Sequence, residues 1–167
     1  MSTQFEYRST FSHPADEVYA TMVDPDFLRA RLDRIGGPGA ALLEHSADTD
    51  GARYRLRHGV DANALPALVR GVLPGSLVIE RTETWKREDP GSYTGDVVVT
   101  IPDTPGSATG GMRLRDTDEG SEHAIRVEVT VKVPIIGGKI EEMVTGHIRG
   151  LLESESAFTQ QWLARGR

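Results

Sequence analysis

The run VTVKVPIIGGKIEEMVTGHIRGLLESESAFTQQWL, from Val129 to Leu163, constrains the fold more than any other segment. It begins with the alternation of a strand and continues with apolar residues at three- and four-residue steps, which is typical of an amphipathic helix. Polar residues, Glu141 among them, fall mostly on the opposite face. We expect Gly137 and Gly138 to form a sharp corner at φ angles that other residues resist. The helix would then fold back over the strand as the lid of a cavity.

The rest of the chain alternates like a long antiparallel meander. A half-buried strand is expected in TQFEYRSTF, followed by helices that begin at Pro14 and after the cap residue Asp24. Turn-like separators such as DTDG and EDPGS then divide a series of strands. These strands are expected near 40–48, 52–60, 76–87, 92–101, 108–117 and 122–133. The apolar segment 61–75, which is broken by prolines and glycines, is interpreted as a crossing over the sheet rim.

This order predicts one α+β domain over residues 1–167. A curved antiparallel sheet of about seven strands, in the order β-α-α-β6-α, would wrap around the long C-terminal helix because a twisted sheet must cover its concave face.

Composition and motifs exclude several classes of function. The chain has no cysteine, so it has neither disulfides nor cysteine-based zinc sites. A formal net charge of −6 argues against nucleic-acid binding. We find no catalytic, metal-ligand or phosphate-loop motif and expect no metal or cofactor. No apolar run is long enough to span a membrane, so we expect a cytoplasmic protein without integral membrane association, either a monomer or a homodimer.

Two motifs carry a family resemblance. TETW at 82–85 and KVPIIGGKIE at 132–141, before a long last helix, resemble an actinobacterial domain family of unknown function within the START/SRPBCC superfamily. The resemblance implies the helix-grip, Bet v 1-like fold. It also implies a deep hydrophobic cavity between the sheet and the last helix, which members use for lipids, sterols, hormones or polyketides.

The strand alternation indicates which residues face that cavity. LVIERTETWKRE places two charged residues, Arg81 and Glu83, on the same face as three large apolar residues. Met143 and His147 lie one turn apart on the inward face of the last helix. The candidate ligand-binding residues are Tyr54, Leu56, His58, Leu77, Ile79, Arg81, Glu83, Trp85, Val97, Val99, Met112, Val127, Val129, Met143 and His147.

Each polar candidate has a structural alternative. Buried charges need partners, so Arg81 and Glu83 either pair to hold the strand register or orient the polar group of an apolar ligand. His58 and His147 fit hydrogen-bonded structural histidines as well as catalytic bases. Arg53, Arg55 and Arg57 share the opposite face of their strand, where they either pair with acidic side chains of a neighbouring strand or bind an anionic partner or a membrane surface.

Three functions fit these patterns. The first is binding of a hydrophobic small molecule or lipid, as a carrier, buffer or sensor. The second is a polyketide cyclase/aromatase-like enzyme in which Glu83, Arg81, His58 and His147 act on the substrate. The third is a protein-interaction module that uses the arginine row or the segment 61–75.

Overall fold

The computed structural model describes residues 2–61, 67–71, 77–102 and 104–165. The strands are β1 (Ser2–Phe11), β2 (Ala41–Ala47), β3 (Gly51–Val60), β4 (Leu77–Asp89), β5 (Ser92–Thr100), β6 (Gly106–Thr117) and β7 (Gly120–Val131). The helices are α1 (Ala15–Met22), α2 (Pro25–Ile35), α3 (Ala67–Arg70) and α4 (Gly137–Arg165). Of the expected crossing at 61–75, only Asp61 and residues 67–71 are described, and the remainder of that prediction lies outside the described residues.

The strands form one seven-stranded antiparallel sheet in the order β1-β7-β6-β5-β4-β3-β2. Strands β2 to β7 pair with their chain neighbours, and β1 closes the far edge by pairing with β7. The 29-residue helix α4 packs across this sheet, mainly over β1 and β7. The predicted helix-grip α+β fold is therefore confirmed.

Strand alternation sorts the side chains as the sequence indicates. On β3, Tyr54, Leu56 and His58 are buried, whereas Arg53 is exposed. On β5 the inward Val97 is buried, while its neighbour Val98 is 46% exposed on the convex face. If β3 or β5 shifted by one residue relative to its neighbouring strands, all of these side chains would turn to the other face of the sheet. Burial of the inward side chains therefore fixes the strand register.

The corner before α4 differs from the expectation. The positive φ belongs to Ile135, at 73°, and not to the two glycines, so that prediction is wrong. The Ile136 amide donates to the Pro134 carbonyl oxygen at 2.8 Å, which closes a γ-turn around Ile135. Gly137 is needed for a different reason, because a Cβ atom there would lie 2.7 Å from the Val131 carbonyl oxygen.

The prediction that the helical pattern makes for Glu141 is also wrong. The pattern puts it on the polar face of α4, but the residue is only 2% exposed. Its carboxylate accepts the Thr3 hydroxyl at 3.0 Å and the Val131 backbone N–H at 2.9 Å. This buried carboxylate ties the first turn of α4 to β1 and β7. The periodicity missed it because two hydrogen bonds offset the cost of burying the charge.

The two adjacent glycines provide a matched test of this corner. We expect Gly137→Ala to lower the free energy of unfolding by about 1–3 kcal/mol, since the new methyl group meets a backbone oxygen that cannot move freely. Gly138→Ala meets no atom within 4 Å. It should be neutral or stabilising by up to about 1 kcal/mol through helix propensity. Urea denaturation of both variants checks this, and equal destabilisation by the two would contradict it.

Candidate functional site

A cavity of about 170 Å³ lies between the concave face of the sheet and α4. Strands β3 to β7, the end of α2 and the first half of α4 form its wall. Its lining is largely aliphatic. The apolar residues on the wall are Ile35, Val60, Leu77, Ile79, Val97, Val99, Ile101, Ala108, Ile125, Val127, Val129, Val131, Met143, Val144, Ile148, Leu151 and Leu152.

Ten of the fifteen candidate residues line this cavity. They are His58, Leu77, Ile79, Arg81, Val97, Val99, Val127, Val129, Met143 and His147. Tyr54, Glu83 and Met112 instead line a smaller chamber of about 40 Å³, which lies on the other side of Arg81. Leu56 and Trp85 line neither space and belong to the packed core. The alternation identified the inward face, but not which inward residues meet empty volume.

His58 lies on the cavity wall and has a buried polar atom without a partner. The residue is 4% exposed, and its Nε2 atom has no hydrogen-bond partner within the described part of the chain. Burial, and after it the positive charge of Arg81, lowers the pKa of His58 to about 4. At neutral pH the ring is therefore uncharged, and Nε2 can form a hydrogen bond with a neutral polar group.

Arg81 lies at the polar end of the cavity, and all three nitrogens of its guanidinium group donate hydrogen bonds to carboxylates. Its Nη1 and Nη2 atoms donate to the two oxygens of Glu155 on α4, at 2.7 and 3.0 Å. Its Nε atom donates to Glu83 at 2.6 Å. The other oxygen of Glu83 accepts the Tyr54 hydroxyl at 2.6 Å, and the Trp85 indole N–H donates to that hydroxyl at 3.2 Å. Of the two roles open to Arg81 and Glu83, the geometry matches structural pairing.

Arg31, Tyr54, Arg81, Glu83 and Glu155 form a buried polar cluster whose members fix one another's protonation states. Burial alone would raise the pKa of Glu155, but Arg31 and Arg81 outweigh it and lower that pKa to about 2. The pKa of Glu83 is likewise lowered, because Arg81 and Arg31 outweigh the effect of burial. Burial and the charge of Glu83 together raise the pKa of Tyr54. Both carboxylates are therefore ionised at neutral pH, and Tyr54 keeps its proton.

Sequence reasoning missed Arg31, His123 and Glu155 as members of this region. Arg31 and Glu155 are 6% and 5% exposed. Each of them interrupts the apolar stripe of its own helix, three residues after Leu28 and Leu152 respectively. A charged residue at an apolar-stripe position was the signal that could have identified both. His123 carries a comparable signal on β7, because it lies two residues before Ile125 on the inward face of the strand.

The arginine row of β3 lies on the outer face and is bonded within the protein. Arg55 donates to Glu80 at 2.9 Å and to Glu44 at 3.1 Å, and Arg53 donates to Glu44 at 3.3 Å. Arg57 donates to the Gly39 carbonyl oxygen at 2.9 Å. The structural alternative for the row, pairing with a neighbouring strand, is therefore the one observed.

Membrane-spanning helices and metal-binding groups of side chains are both absent from the described part of the chain. Within residues 2–61, 67–71, 77–102 and 104–165, no helix is both long and apolar enough to cross a membrane. The same described ranges contain no group of three histidine, aspartate or glutamate residues that could hold a metal ion.

The sequence matches a protein family of unknown function and uncharacterized mycobacterial proteins. A family model described as "Protein of unknown function (DUF2505)" matches residues 6–163. An uncharacterized protein of Mycobacterium tuberculosis is 27% identical over 170 residues, which covers 98% of each chain. A Mycobacterium bovis protein, also uncharacterized, matches to the same extent.

Solved structures share the fold at low sequence identity. A Thermus thermophilus protein, TTHA0849, covers 100% of both chains with a TM-score of 0.63 and 15% identity. Ara h 8.0201 has a TM-score of 0.57 at 13% identity and covers 96% of this chain and 99% of its own. Norcoclaurine synthase from Thalictrum flavum has a TM-score of 0.56 at 15% identity, covering 98% and 87%. The fold is thus that of the Bet v 1-like proteins of the START/SRPBCC superfamily.

The role of Glu155 can be tested with a neighbour on the same helix. We expect Glu155→Gln to lower the free energy of unfolding by about 3 kcal/mol, because it leaves two buried arginines with one carboxylate. Glu153→Gln changes an exposed residue and should stay within about 0.5 kcal/mol of the wild type. Denaturant unfolding of both variants measures the difference. A loss of less than 1 kcal/mol in Glu155→Gln would contradict the assignment.

Two histidines, the buried His58 and the half-buried His123, predict how stability changes with pH. Burial lowers the pKa of His123, like that of His58, to about 4, and Arg81 adds to the effect while Glu83 opposes it. In the unfolded chain both titrate near pH 6.5. The unfolded state therefore binds more protons between these values, so stability should fall as pH drops from about 6.5 to 4.

The double variant His58→Leu, His123→Leu isolates this contribution. We expect its unfolding free energy, measured by urea denaturation from pH 7.5 to 4, to vary less with pH than that of the wild type. An unchanged slope would show that other groups cause the pH dependence.

Proposed function

Since the chain belongs to the DUF2505 family, whose function is unknown, and has a Bet v 1-like fold, we propose that it binds a small hydrophobic molecule in the cavity beneath α4. The observation that carries this proposal is the aliphatic cavity, whose wall includes the buried residue His58 with its unpaired Nε2 atom. A mostly apolar pocket with few polar groups is typical of small-molecule sites, where the polar groups orient the ligand. The likeness of fold supports the proposal without naming a ligand.

The volume limits the size of the ligand. A cavity of about 150 Å³ holds benzene, whereas pockets for drug-sized molecules measure roughly 300–1,000 Å³. The 170 Å³ present here suits one aromatic ring or a short aliphatic group. A whole lipid or sterol does not fit unless α4 moves. The sequence-based expectation of a hydrophobic small molecule or lipid is therefore narrowed to a small molecule in this conformation.

The polar group of the ligand should be neutral. His58 is uncharged at neutral pH, and the charges of Arg81 are directed toward Glu83 and Glu155. A hydroxyl or carbonyl group can use Nε2 as its partner, through whichever tautomer fits. An ionised group would gain no free counter-charge from these residues and would still lose its hydration.

Binding is favoured over turnover by the state of the charged residues. A cyclase-like reaction would need Glu83 or Arg81 to exchange protons or anchor charge on the substrate. Every nitrogen of the Arg81 guanidinium already donates to a carboxylate, and both oxygens of Glu83 accept a hydrogen bond. We therefore propose a carrier, buffer or sensor rather than a cyclase.

Adjacent valines on β5 provide a test with a matched control. Val99 lines the cavity, whereas Val98 lies on the convex face. Benzene should shift the methyl NMR signals of cavity residues in a saturable titration with the wild type and with Val98→Phe. Val99→Phe fills the cavity and should abolish the saturable shifts. Equal binding by the two variants, or no saturation in the wild type, would overturn the proposal.

The orienting role of His58 is tested by comparing phenol with benzene. In His58→Leu the phenol hydroxyl enters the cavity without a partner, which costs about 1–3 kcal/mol. We expect the affinity for phenol to fall by about tenfold or more relative to the wild type. The affinity for benzene should change much less. If the affinities for phenol and benzene fall equally, His58 affects only the shape of the cavity and forms no hydrogen bond with the phenol hydroxyl.

A further inference from the structure

The middle of α4, residues 142–151, covers the cavity without being buried itself. Each residue of this segment is exposed or half-buried, whereas the buried residues of α4 lie up to Glu141 and from Leu152 onward. Most of the stability of a helix in a protein comes from burial of its apolar face. The segment therefore has less support from the rest of the fold than either end of the same helix. The segment residues on the cavity wall are Met143, Val144, His147, Ile148 and Leu151.

The strong polar contacts of α4 also lie outside this segment. Glu141 accepts hydrogen bonds from β1 and β7, and Glu155 accepts two from Arg81. Inside the segment, the Thr145 hydroxyl has no hydrogen-bond partner among the described residues. The guanidinium of Arg149 lies 4.8 Å from the centroid of the Phe5 ring, which is a weak interaction at an exposed position. Both ends of the segment are therefore anchored more firmly than its middle.

Two glycines lie within the segment, Gly146 and Gly150, and both are exposed. A Cβ atom at either position would meet no atom within 4 Å, so no packing contact requires a glycine there. Glycine weakens an exposed helix interior relative to alanine, because its backbone loses more conformational entropy when it becomes helical. Each glycine therefore shifts the balance of the segment toward its non-helical form by about fivefold.

We propose that residues 142–151 are the gate of the cavity. The segment leaves its helical conformation locally, while Glu141 and Glu155 keep both of its ends in place. Its residues span about 15 Å as a helix and up to about 33 Å when extended, so the opened segment can move aside without breaking either anchor. The role as an entrance rests on the proposed function, whereas the local opening is a property of the ligand-free protein.

Hydrogen exchange of the ligand-free wild-type protein measures the opening directly. The amides of residues 146–151 should exchange through a local opening that exposes little surface, so low concentrations of urea should hardly change their rates. The amides of residues 158–163, where α4 is buried, should exchange only through global unfolding, which urea promotes.

Alanine substitutions on the same helix provide matched variants. The double variant Gly146→Ala, Gly150→Ala should slow exchange of the amides of residues 146–151 by about 20-fold, since each alanine favours the helical form about fivefold. Gly138→Ala makes the same change on α4 outside the segment, again with no atom within 4 Å of the new Cβ atom. It should leave exchange in residues 146–151 unchanged.

Benzene kinetics connect the opening to the cavity. In the double variant, the rate constants for association and dissociation of benzene, measured by NMR exchange, should both fall by up to about 20-fold. The Kd should change by less than about twofold, because a smaller open population slows entry and exit alike and leaves the closed cavity unaltered. Gly138→Ala should keep the wild-type rate constants.

The outcomes separate the gate from the proposed function. Exchange of residues 146–151 only through global unfolding, or equal slowing by the double variant and by Gly138→Ala, would overturn the local opening. Unchanged benzene rate constants in the double variant would overturn the role of the segment as an entrance. A wild-type protein that shows no saturable binding of benzene would overturn the proposed function, and with it the entrance, whatever the hydrogen exchange shows.

Discussion

The paired hydrogen bonds from Arg81 to Glu155 are the interaction on which the placement of α4 depends. They join the longest helix to the middle of the sheet, and the contact of Arg31 with the same carboxylate brings in α2. A buried ion pair adds little net stability, because the loss of hydration offsets most of the attraction. Its effect is on specificity, since any other register of α4 would leave two arginines or a glutamate buried without a partner.

A second buried carboxylate fixes the other part of the helix. Glu141 bonds to Thr3 and to the backbone of β7, about 21 Å from Glu155 along the helix axis at 1.5 Å per residue. The segment between these two points covers the cavity. Protein interiors normally close such voids by letting side chains pack together. Here the polar contacts of Glu141 and Glu155 hold α4 at both ends of this segment. The apolar side chains of the helix and of the sheet therefore need not pack against each other across the cavity.

The same cluster divides the interior by polarity. On one side of Arg81 the wall is aliphatic, with His58 as its buried neutral polar group. On the other side Arg31 and His123 line the smaller chamber, and each has buried nitrogen atoms without a hydrogen-bond partner among the described residues. Two spaces of different character therefore lie close together beneath one helix. Solved structures with 13–15% identity share this fold, and a shared fold does not by itself fix what a cavity binds.

The sequence by itself determined the strands, the meander of β2 to β7 and the faces that these strands bury, because period-two alternation and turn residues are local properties of the chain. The pairing of β1 with β7 joins distant parts of the chain, and the tertiary structure decided it. The sequence also indicated that Arg81 and Glu83 are buried, since both lie on the face of Trp85. Tertiary structure decided the rest. The positive φ fell on Ile135, Glu141 turned inward, and Arg31 and Glu155 completed the cluster from two different helices. The partner of a buried charge can lie anywhere along the chain, so only the folded arrangement reveals which residues pair and where empty volume remains.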